Sequence, residues 1–131
     1  MHEPISIVPI GRVRRTNDNV CVLEISPALE DALDGVERGD SVQVLYWMHQ
    51  LPDRQRQVCK AQPRGDTTRP FTGVFALRSP MRPNPIGVSV VQVAQVRGAE
   101  VTVRGLDALD GSPIVDIKGA PDFSRTEERE S

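Results

Sequence analysis

Seven short runs rich in valine and isoleucine constrain the fold more than any other feature of the sequence. They are ISIVPI, VCVLEI, SVQVLYWM, TGVFAL, IGVSVVQVAQV, EVTVRG and PIVDIK, and they are separated by glycine, proline, aspartate or asparagine. Such runs are typical of β-strands, and the residues between them favour turns. Because the runs follow one another at turn-sized intervals, the sequence predicts a mainly β fold, a small β-barrel that is closed or partly closed.

A single segment has the pattern of a helix, and it is short. Ser26 is a suitable N-cap, and Pro27 stands at the first helical position. Glu30 and Asp31 place negative charge in the first turn, and Gly35 is a suitable terminator. The sequence therefore predicts one short helix that begins at Pro27.

From Leu51 to Arg69 the strand pattern gives way to a polar, basic stretch with proline and glycine as breakers. This pattern predicts a long irregular loop, and loops of that length in a compact domain are usually functional or mobile.

A chain of 131 residues has the length of one domain rather than two. We expect that domain to span residues 1–120 and the acidic tail 121–131 to be disordered.

The composition narrows the class of protein. With 38% hydrophobic and 26% charged residues, it favours a soluble globular protein. No apolar run is long enough to cross a bilayer and the first residues lack a targeting pattern, which predicts a cytoplasmic protein without a membrane span. The two cysteines and two histidines are isolated in sequence, so neither a disulfide framework nor a metal site is expected.

Charge is distributed unevenly along the chain. The net charge of -2 does not favour nucleic-acid binding through the overall field. Between residues 54 and 82, however, the only acid is Asp66, and the middle of the chain is a basic segment. Its basic residues are Arg54, Arg56, Lys60, Arg64, Arg69, Arg78 and Arg82.

Three prolines stiffen the passage RSPMRPNPIG, since each fixes its own φ and pushes the preceding residue toward an extended conformation. The passage presents polar side chains suited to a carboxylate, a phosphate or a nucleobase edge. They are Arg78, Ser79, Arg82 and Asn84. The alternative is a rigid hairpin loop with solvated arginines.

Three aspartates lie close together in the passage LDALDGSPIVDIK. Asp110 and Gly111 form an ordinary turn signal, but an acid in such a turn is also suited to ribose hydroxyls or to a nearby sulfonium. Asp116 lies within an apolar run, where an unpaired charge is costly, so we expect it to have a cationic or hydrogen-bonding partner.

The passage YWMHQ ends an apolar run just before the basic loop. Tyr46 and Trp47 have the character of core or interface residues, with base stacking as the alternative. His49 and Gln50 stand where a strand passes into a loop, a position where rigid scaffolds present functional groups.

Together these passages resemble the TrmO-like family, S-adenosylmethionine-dependent methyltransferases built on a small β-barrel. Founding members methylate threonylcarbamoyl-adenosine beside the tRNA anticodon. Three motifs match in the same order: H-Q at residues 49–50, G-V-F-A-x-R-S-x-x-R-P-N-P-I-G at residues 73–87, and L-D-x-x-D-G-[ST]-P-[VI]-x-D-I-K at residues 106–118. The resemblance covers the chain from about Ser41 to Lys118.

The resemblance implies that S-adenosylmethionine is the cofactor and that a defined set of residues holds it. These residues are His49, Gln50, Arg78, the backbone near Val88, and the turn of Leu109, Asp110, Gly111 and Ser112. Arg78 would bind the methionine carboxylate or an adenine-side carbonyl, and Asp110 with Ser112 would anchor the nucleoside. The resemblance also implies a homodimer with the cofactor pocket close to the subunit boundary.

It further implies tRNA as the methyl acceptor. Methyl transfer from a sulfonium is an in-line displacement that needs neither a metal nor a covalent intermediate. A purine exocyclic nitrogen loses a proton during methylation, and the candidate acceptors are Asp107, Asp116 and His49. The basic segment would guide the RNA backbone. Its candidate contacts are Arg54, Arg56, Lys60, Arg64, Arg69 and Arg82.

The sequence departs from that family in two places. A P-R-Q segment near the N-terminus of typical members is replaced by GRVRRTNDN, where Arg14, Arg15 and Asn17 are candidates to take over part of its role. Larger members have a C-terminal domain, whereas this chain ends soon after Lys118. The alternatives are therefore a methyltransferase for a small metabolite, a cofactor-binding module without catalysis, and a purely structural barrel.

Overall fold

Eight strands make up the sheet structure of the described residues, which are 3–50 and 52–121 in this computed structural model. They are β1 Gly11–Arg15, β2 Val20–Ile25, β3 Ser41–Trp47, β4 Lys60–Ala61, β5 Thr72–Gly73, β6 Ile86–Arg97, β7 Glu100–Arg104 and β8 Pro113–Gly119. Four 3₁₀ segments lie between them: Pro27–Leu33, Asp53–Gln57, Pro63–Gly65 and Val74–Ala76.

Six of the strands form a closed barrel in the order β1-β2-β7-β6-β3-β8. All neighbours are antiparallel, and β8 returns to β1 through the pairing of Ile114 with Gly11. The remaining two strands, β4 and β5, pair with each other in a small separate sheet within the basic segment. The predicted mainly β barrel is confirmed, in its closed form.

The barrel core consists of the inward-facing side chains of the alternating strands. The large side chains that are almost completely buried are Leu23, Ile114, Val13, Val44, Val93, Val101 and Val103. Burying each of these valine, leucine or isoleucine side chains contributes about 1.5–3 kcal/mol. The valine-rich runs thus form the packed barrel, and the connecting segments join its strands.

Two of the seven predicted strands are wrong in position. Residues 5–10 belong to no strand, and Ile5 is 94% exposed. The first strand is instead GRVRR, whose only buried side chain is Val13 between two outward arginines. Arg12 and Arg14 both pair with Glu24 on β2, and their hydrogen bonds lower the pKa of that carboxyl group. In TGVFAL, only Thr72 and Gly73 pair as a strand, and a 3₁₀ turn follows.

The predicted helix is present as the 3₁₀ helix Pro27–Leu33, which buries Leu33. The Ser26 side chain does not cap it; the Ser26 carbonyl accepts a hydrogen bond from the Leu29 amide at 2.8 Å instead. Gly35 follows the helix with φ of +92°, in agreement with its predicted role as terminator.

Within the described residues, no helix is long and apolar enough to cross a membrane. The predicted disordered tail lies outside the described residues from residue 122 onward.

Candidate functional site

A cavity of about 680 Å³ brings together residues of all three passages YWMHQ, RSPMRPNPIG and LDALDGSPIVDIK. Its walls are the end of β3, the first half of β6, the proline segment (residues 77–85) and the Asp107 loop (residues 105–109). The lining residues are Tyr46, Met48, Gln50, Leu77, Arg78, Pro80, Arg82, Ile86, Gly87, Val88, Ser89, Val90, Gly105, Asp107, Ala108, Leu109 and Ser112. The end of β3 lies beside the proline segment because β3 pairs with β6 along its whole length. The Asp107 loop lies close to them because it follows β7, which pairs with β6 on the other side.

Arg78 lines this cavity and is exposed. Its Nη2 donates a hydrogen bond to the carbonyl of Val88 on β6. Since a guanidinium has five N–H donors, this bond leaves others available for a ligand. Arg78 also lines a neighbouring cavity of about 460 Å³ together with Arg64 of the basic segment.

Arg82 has an internal partner that the sequence did not reveal. Its Nη2 donates to the carbonyl of Leu77 at 3.0 Å and also to that of Val74. The side chain is half-buried, and the two bonds tie the proline segment to the preceding 3₁₀ turn. Arg82 therefore helps to shape the wall of the cavity.

Asp107 projects from a loop whose backbone is hydrogen-bonded on several sides. The Tyr46 hydroxyl donates to the Asp107 carbonyl, and the Asp107 amide donates to the Ser89 Oγ at 3.4 Å. Within the described residues its carboxylate makes no hydrogen bond or ion pair, and the residue is exposed. Asp107 thus has a carboxylate without a partner among the described residues, and the residue lines both this cavity and a neighbouring one of about 440 Å³.

The turn from Leu109 to Ser112 is closed by Ser112, whose amide and hydroxyl both donate to the Leu109 carbonyl, at 3.1 and 2.6 Å. Gly111, the third residue of the turn, has φ of +82°, a conformation that glycine adopts without strain. Asp110 accepts a hydrogen bond from the Arg15 amide at 2.8 Å. Leu109 and Ser112 reach the cavity, whereas Asp110 and Gly111 support the turn behind it.

Two of the three candidate proton acceptors lie away from this cavity. His49 lines a separate cavity of about 80 Å³ with Arg56 and Pro85, among others. Asp116 lies on β8 opposite Leu45, and its Oδ1 accepts a hydrogen bond from the Ile117 amide at 2.9 Å, which is the partner expected for it. Of the three candidates, the structure brings only Asp107 to the cavity wall.

The basic segment divides into anchoring and free side chains. Arg56 lies over the Trp47 ring at 5.4 Å from its centroid and donates through Nε to the Pro83 carbonyl at 2.8 Å. Hydrogen bonds from the Thr68 hydroxyl and amide lower the pKa of the Asp66 carboxyl group, so the acid of the basic segment is bonded to a residue two positions away. The exposed cationic side chains without a hydrogen bond or ion pair to the described residues are Arg54, Lys60, Arg64 and Arg69.

Neither a metal centre nor a reactive thiol stands out near the cavity. In residues 3–50 and 52–121, no three histidine, cysteine, aspartate or glutamate side chains are grouped as metal ligands would be. Burial raises the pKa of the Cys21 thiol, against the opposing effect of the nearby Arg15 guanidinium. Cys21 is therefore a neutral core residue at neutral pH.

Comparison with known proteins identifies the family. The model of the tRNA-methyltransferase O N-terminal domain matches residues 8–122. The probable S-adenosyl-L-methionine-binding protein VirR of Rhizobium radiobacter is 47% identical over 105 residues, 80% of this chain and 56% of that protein. A probable S-adenosyl-L-methionine-binding protein of Methanocaldococcus jannaschii is 41% identical over 111 residues, 84% of this chain and 87% of the relative.

The crystal structure of TrmO from Pseudomonas aeruginosa superposes with a TM-score of 0.70 at 28% identity, and the match covers 93% of this chain and 58% of that one. The chain thus spans a little over half the length of VirR and of this TrmO. The family model, the relatives and the barrel all agree with the three motifs around the cavity. The chain belongs to the TrmO family and corresponds to its N-terminal domain.

Proposed function

We propose that the protein is a cytoplasmic S-adenosylmethionine-dependent methyltransferase whose acceptor is threonylcarbamoyl-adenosine next to the anticodon of tRNA. The observation that supports the proposal most strongly is the cavity of about 680 Å³, which is lined both by Arg78, with N–H donors to spare, and by Asp107, whose carboxylate has no partner among the described residues. The family model is named for a tRNA methyltransferase, and relatives are named as S-adenosyl-L-methionine-binding proteins.

The residues around the cavity fit this cofactor. A volume of about 680 Å³ is within the range of small-molecule and cofactor sites. The cofactor has a carboxylate at one end and supplies its methyl group from a positively charged sulfonium. The spare donors of Arg78 suit the carboxylate, and the apolar side chains of Met48 and Leu109 suit the nucleoside. Gln50 and the backbone at Val88 add polar contacts. Asp110 and Gly111 support the turn that Leu109 and Ser112 present to the cavity, whereas His49 lines the separate cavity of about 80 Å³.

Asp107 is the proton acceptor in this proposal. It is the candidate whose residue lines the cavity, and no other described side chain occupies its carboxylate. A carboxylate oxygen of Asp107 accepts the proton that the acceptor nitrogen loses during methylation. The protein's other contribution is to align donor and nucleophile while excluding water.

The free cations of the basic segment support an RNA acceptor. Arg64 and Arg78 line the same cavity of about 460 Å³, which lies next to the main cavity that Arg78 also lines. Exposed lysine and arginine side chains attract a phosphate backbone and release its counterions.

The proposal also includes a homodimer, since Phe71 and Phe75 are 66% and 86% exposed and large exposed apolar side chains favour association.

We expect Arg78→Ala to weaken S-adenosylmethionine binding by about 1.5–3 kcal/mol, because a charge-assisted hydrogen bond to the cofactor is lost. Isothermal titration calorimetry measures the dissociation constant directly. Arg38→Ala is the matched control, since Arg38 is exposed and lines none of these cavities. An affinity equal to that of the wild type would remove Arg78 from the cofactor site.

We expect the combined replacement of Arg54, Lys60 and Arg69 by alanine to weaken binding of an anticodon stem-loop and to lower its salt dependence by about two to three units of log–log slope. Cofactor affinity should not change. Arg56 is left intact because it holds Trp47 and the proline segment. Replacing Arg38, Arg97 and Arg104 gives the same change in charge elsewhere, and an equal loss there would show that only net charge matters.

A second candidate function is a module that binds S-adenosylmethionine without transferring its methyl group. The name of the Methanocaldococcus jannaschii relative, of which this chain covers 87%, mentions binding only. Cofactor binding with no methyl transfer to RNA or to metabolites would favour this candidate.

A further inference from the structure

Three successive carbonyls of the Asp107 loop accept hydrogen bonds from side chains on two different strands. Arg15 on β1 donates through Nη2 to the carbonyls of Leu106 and Ala108, both at 2.6 Å. Its Nε also donates to the Ala108 carbonyl at 3.1 Å. Tyr46 on β3 donates its hydroxyl to the carbonyl between them, that of Asp107. The loop is thus held by β1 and by β3.

Arg15 connects this loop to the turn between β1 and β2. Its Nη1 donates to the carbonyls of Asn17 and Asp18, at 3.1 and 3.2 Å. Every acceptor of the half-buried guanidinium is a backbone carbonyl, and no carboxylate pairs with it among the described residues. The planar fork of a guanidinium can serve several carbonyls at once, which the single ammonium of lysine cannot reproduce.

The Asp107 carboxylate has no side-chain partner of its own within the described residues, so no hydrogen bond or ion pair restrains it and its position depends on the backbone of its loop. That loop contains no helix or strand, and its Gly105 has φ of +90°. A displacement of about 1 Å in a reacting group can lower a rate about 100-fold. The hydrogen bonds from Arg15 and Tyr46 oppose such a displacement.

We propose that Arg15 and Tyr46 are positioning residues that fix the Asp107 loop and thereby hold the Asp107 carboxylate at the wall of the cavity. The inference rests on the proposed methyltransferase function and specifies how its proton acceptor is placed. It predicts a loss in kcat that exceeds any change in cofactor affinity.

The test uses Tyr46→Phe, which removes one hydroxyl and keeps the ring, and Arg15→Met, which keeps length and removes all donors. Arg15→Lys is the conservative variant, and Arg12→Met on the same strand is the control, since Arg12 pairs with Glu24 and lies outside the cavity. Heteronuclear ¹H–¹⁵N NOE values report the mobility of residues 106–109, and steady-state kinetics give kcat and KM.

We expect kcat to fall about 10-fold in Tyr46→Phe and up to about 100-fold in Arg15→Met, with Arg15→Lys between Arg15→Met and the wild type. The NOE values of residues 106–109 should fall, while those of the barrel strands stay close to wild type. The cofactor dissociation constant should rise by a smaller factor than the factor by which kcat falls. Arg12→Met should match the wild type in each measurement.

Unchanged NOE values and unchanged kcat in folded Tyr46→Phe and Arg15→Lys would overturn the inference. A lower melting temperature alone, with loop mobility and kcat unchanged, would reduce both residues to a structural role and also overturn it. If the wild type itself transfers no methyl group, the proposed function fails, yet the NOE values still decide whether the two side chains hold the loop.

Discussion

We expect Asp107→Asn to lower the kcat of methyl transfer by about 100- to 10,000-fold, because the loss of a positioned proton acceptor costs that much in general-base catalysis. S-adenosylmethionine should bind the variant nearly as well as the wild type, since asparagine keeps the size of the side chain. Single-turnover kinetics with saturating cofactor and labelled methyl groups measure the chemical step directly.

The controls separate Asp107 from other carboxylates and from the remaining candidates. Asp18 lines the neighbouring cavity of about 440 Å³, which the Asp107 loop also lines, so Asp18→Asn makes the same change in charge close by. Asp116→Asn and His49→Gln test the two residues that do not line the main cavity. Wild-type kcat in Asp107→Asn, or an equal loss in Asp116→Asn, would reject Asp107 as the acceptor.

We expect Gly87→Ala to destabilise the fold by about 1–3 kcal/mol, because it overpacks a filled space. A Cβ atom at Gly87 would lie 2.5 Å from Cζ and 2.6 Å from Cε2 of the Tyr46 ring. That ring is 6% exposed, and its hydroxyl is bonded to the Asp107 carbonyl, so it has little room to retreat. Urea unfolding measures the change in the free energy of unfolding. Since Tyr46 and Gly87 both line the cavity, we also expect weaker cofactor binding, which calorimetry measures.

Gly73→Ala provides the matched control for Gly87→Ala, since a Cβ there meets nothing within 4 Å. A double-mutant cycle with Tyr46→Leu tests the cause, because a smaller side chain at position 46 makes room for the added methyl group. The cost of Gly87→Ala should then fall. A cost that is independent of residue 46, or one equal to that of Gly73→Ala, would contradict steric conflict with Tyr46.

The barrel was predictable wherever a strand has several inward-facing apolar residues, as in the valine-rich β6. It was not predictable at β1, where Val13 is the only buried side chain and the neighbouring arginines resemble a loop. The Ser26 side chain makes no capping hydrogen bond because the segment adopts a tighter 3₁₀ conformation that uses the Ser26 carbonyl. Local propensity does not determine that choice.

The motifs predicted one feature of the candidate site, since the proline segment and the Asp107 loop share one cavity. The separation of His49 from that cavity was not predictable, because alternation stops where β3 ends at Trp47. The hydrogen bonds of Arg15 and Tyr46 to the Asp107 loop were not predictable either. Arg15 and Leu106 are 91 residues apart in sequence, and Tyr46 and Asp107 are 61 residues apart. Such contacts depend on which strands the barrel brings together.

The most direct test of the proposed function is transfer of a labelled methyl group from S-adenosylmethionine to tRNA. We predict label in tRNA that carries threonylcarbamoyl-adenosine and none in the same tRNA without that modification. Label in a metabolite extract instead of tRNA would contradict the proposed acceptor. Label in neither pool, despite measured cofactor binding, would contradict methyltransferase activity itself.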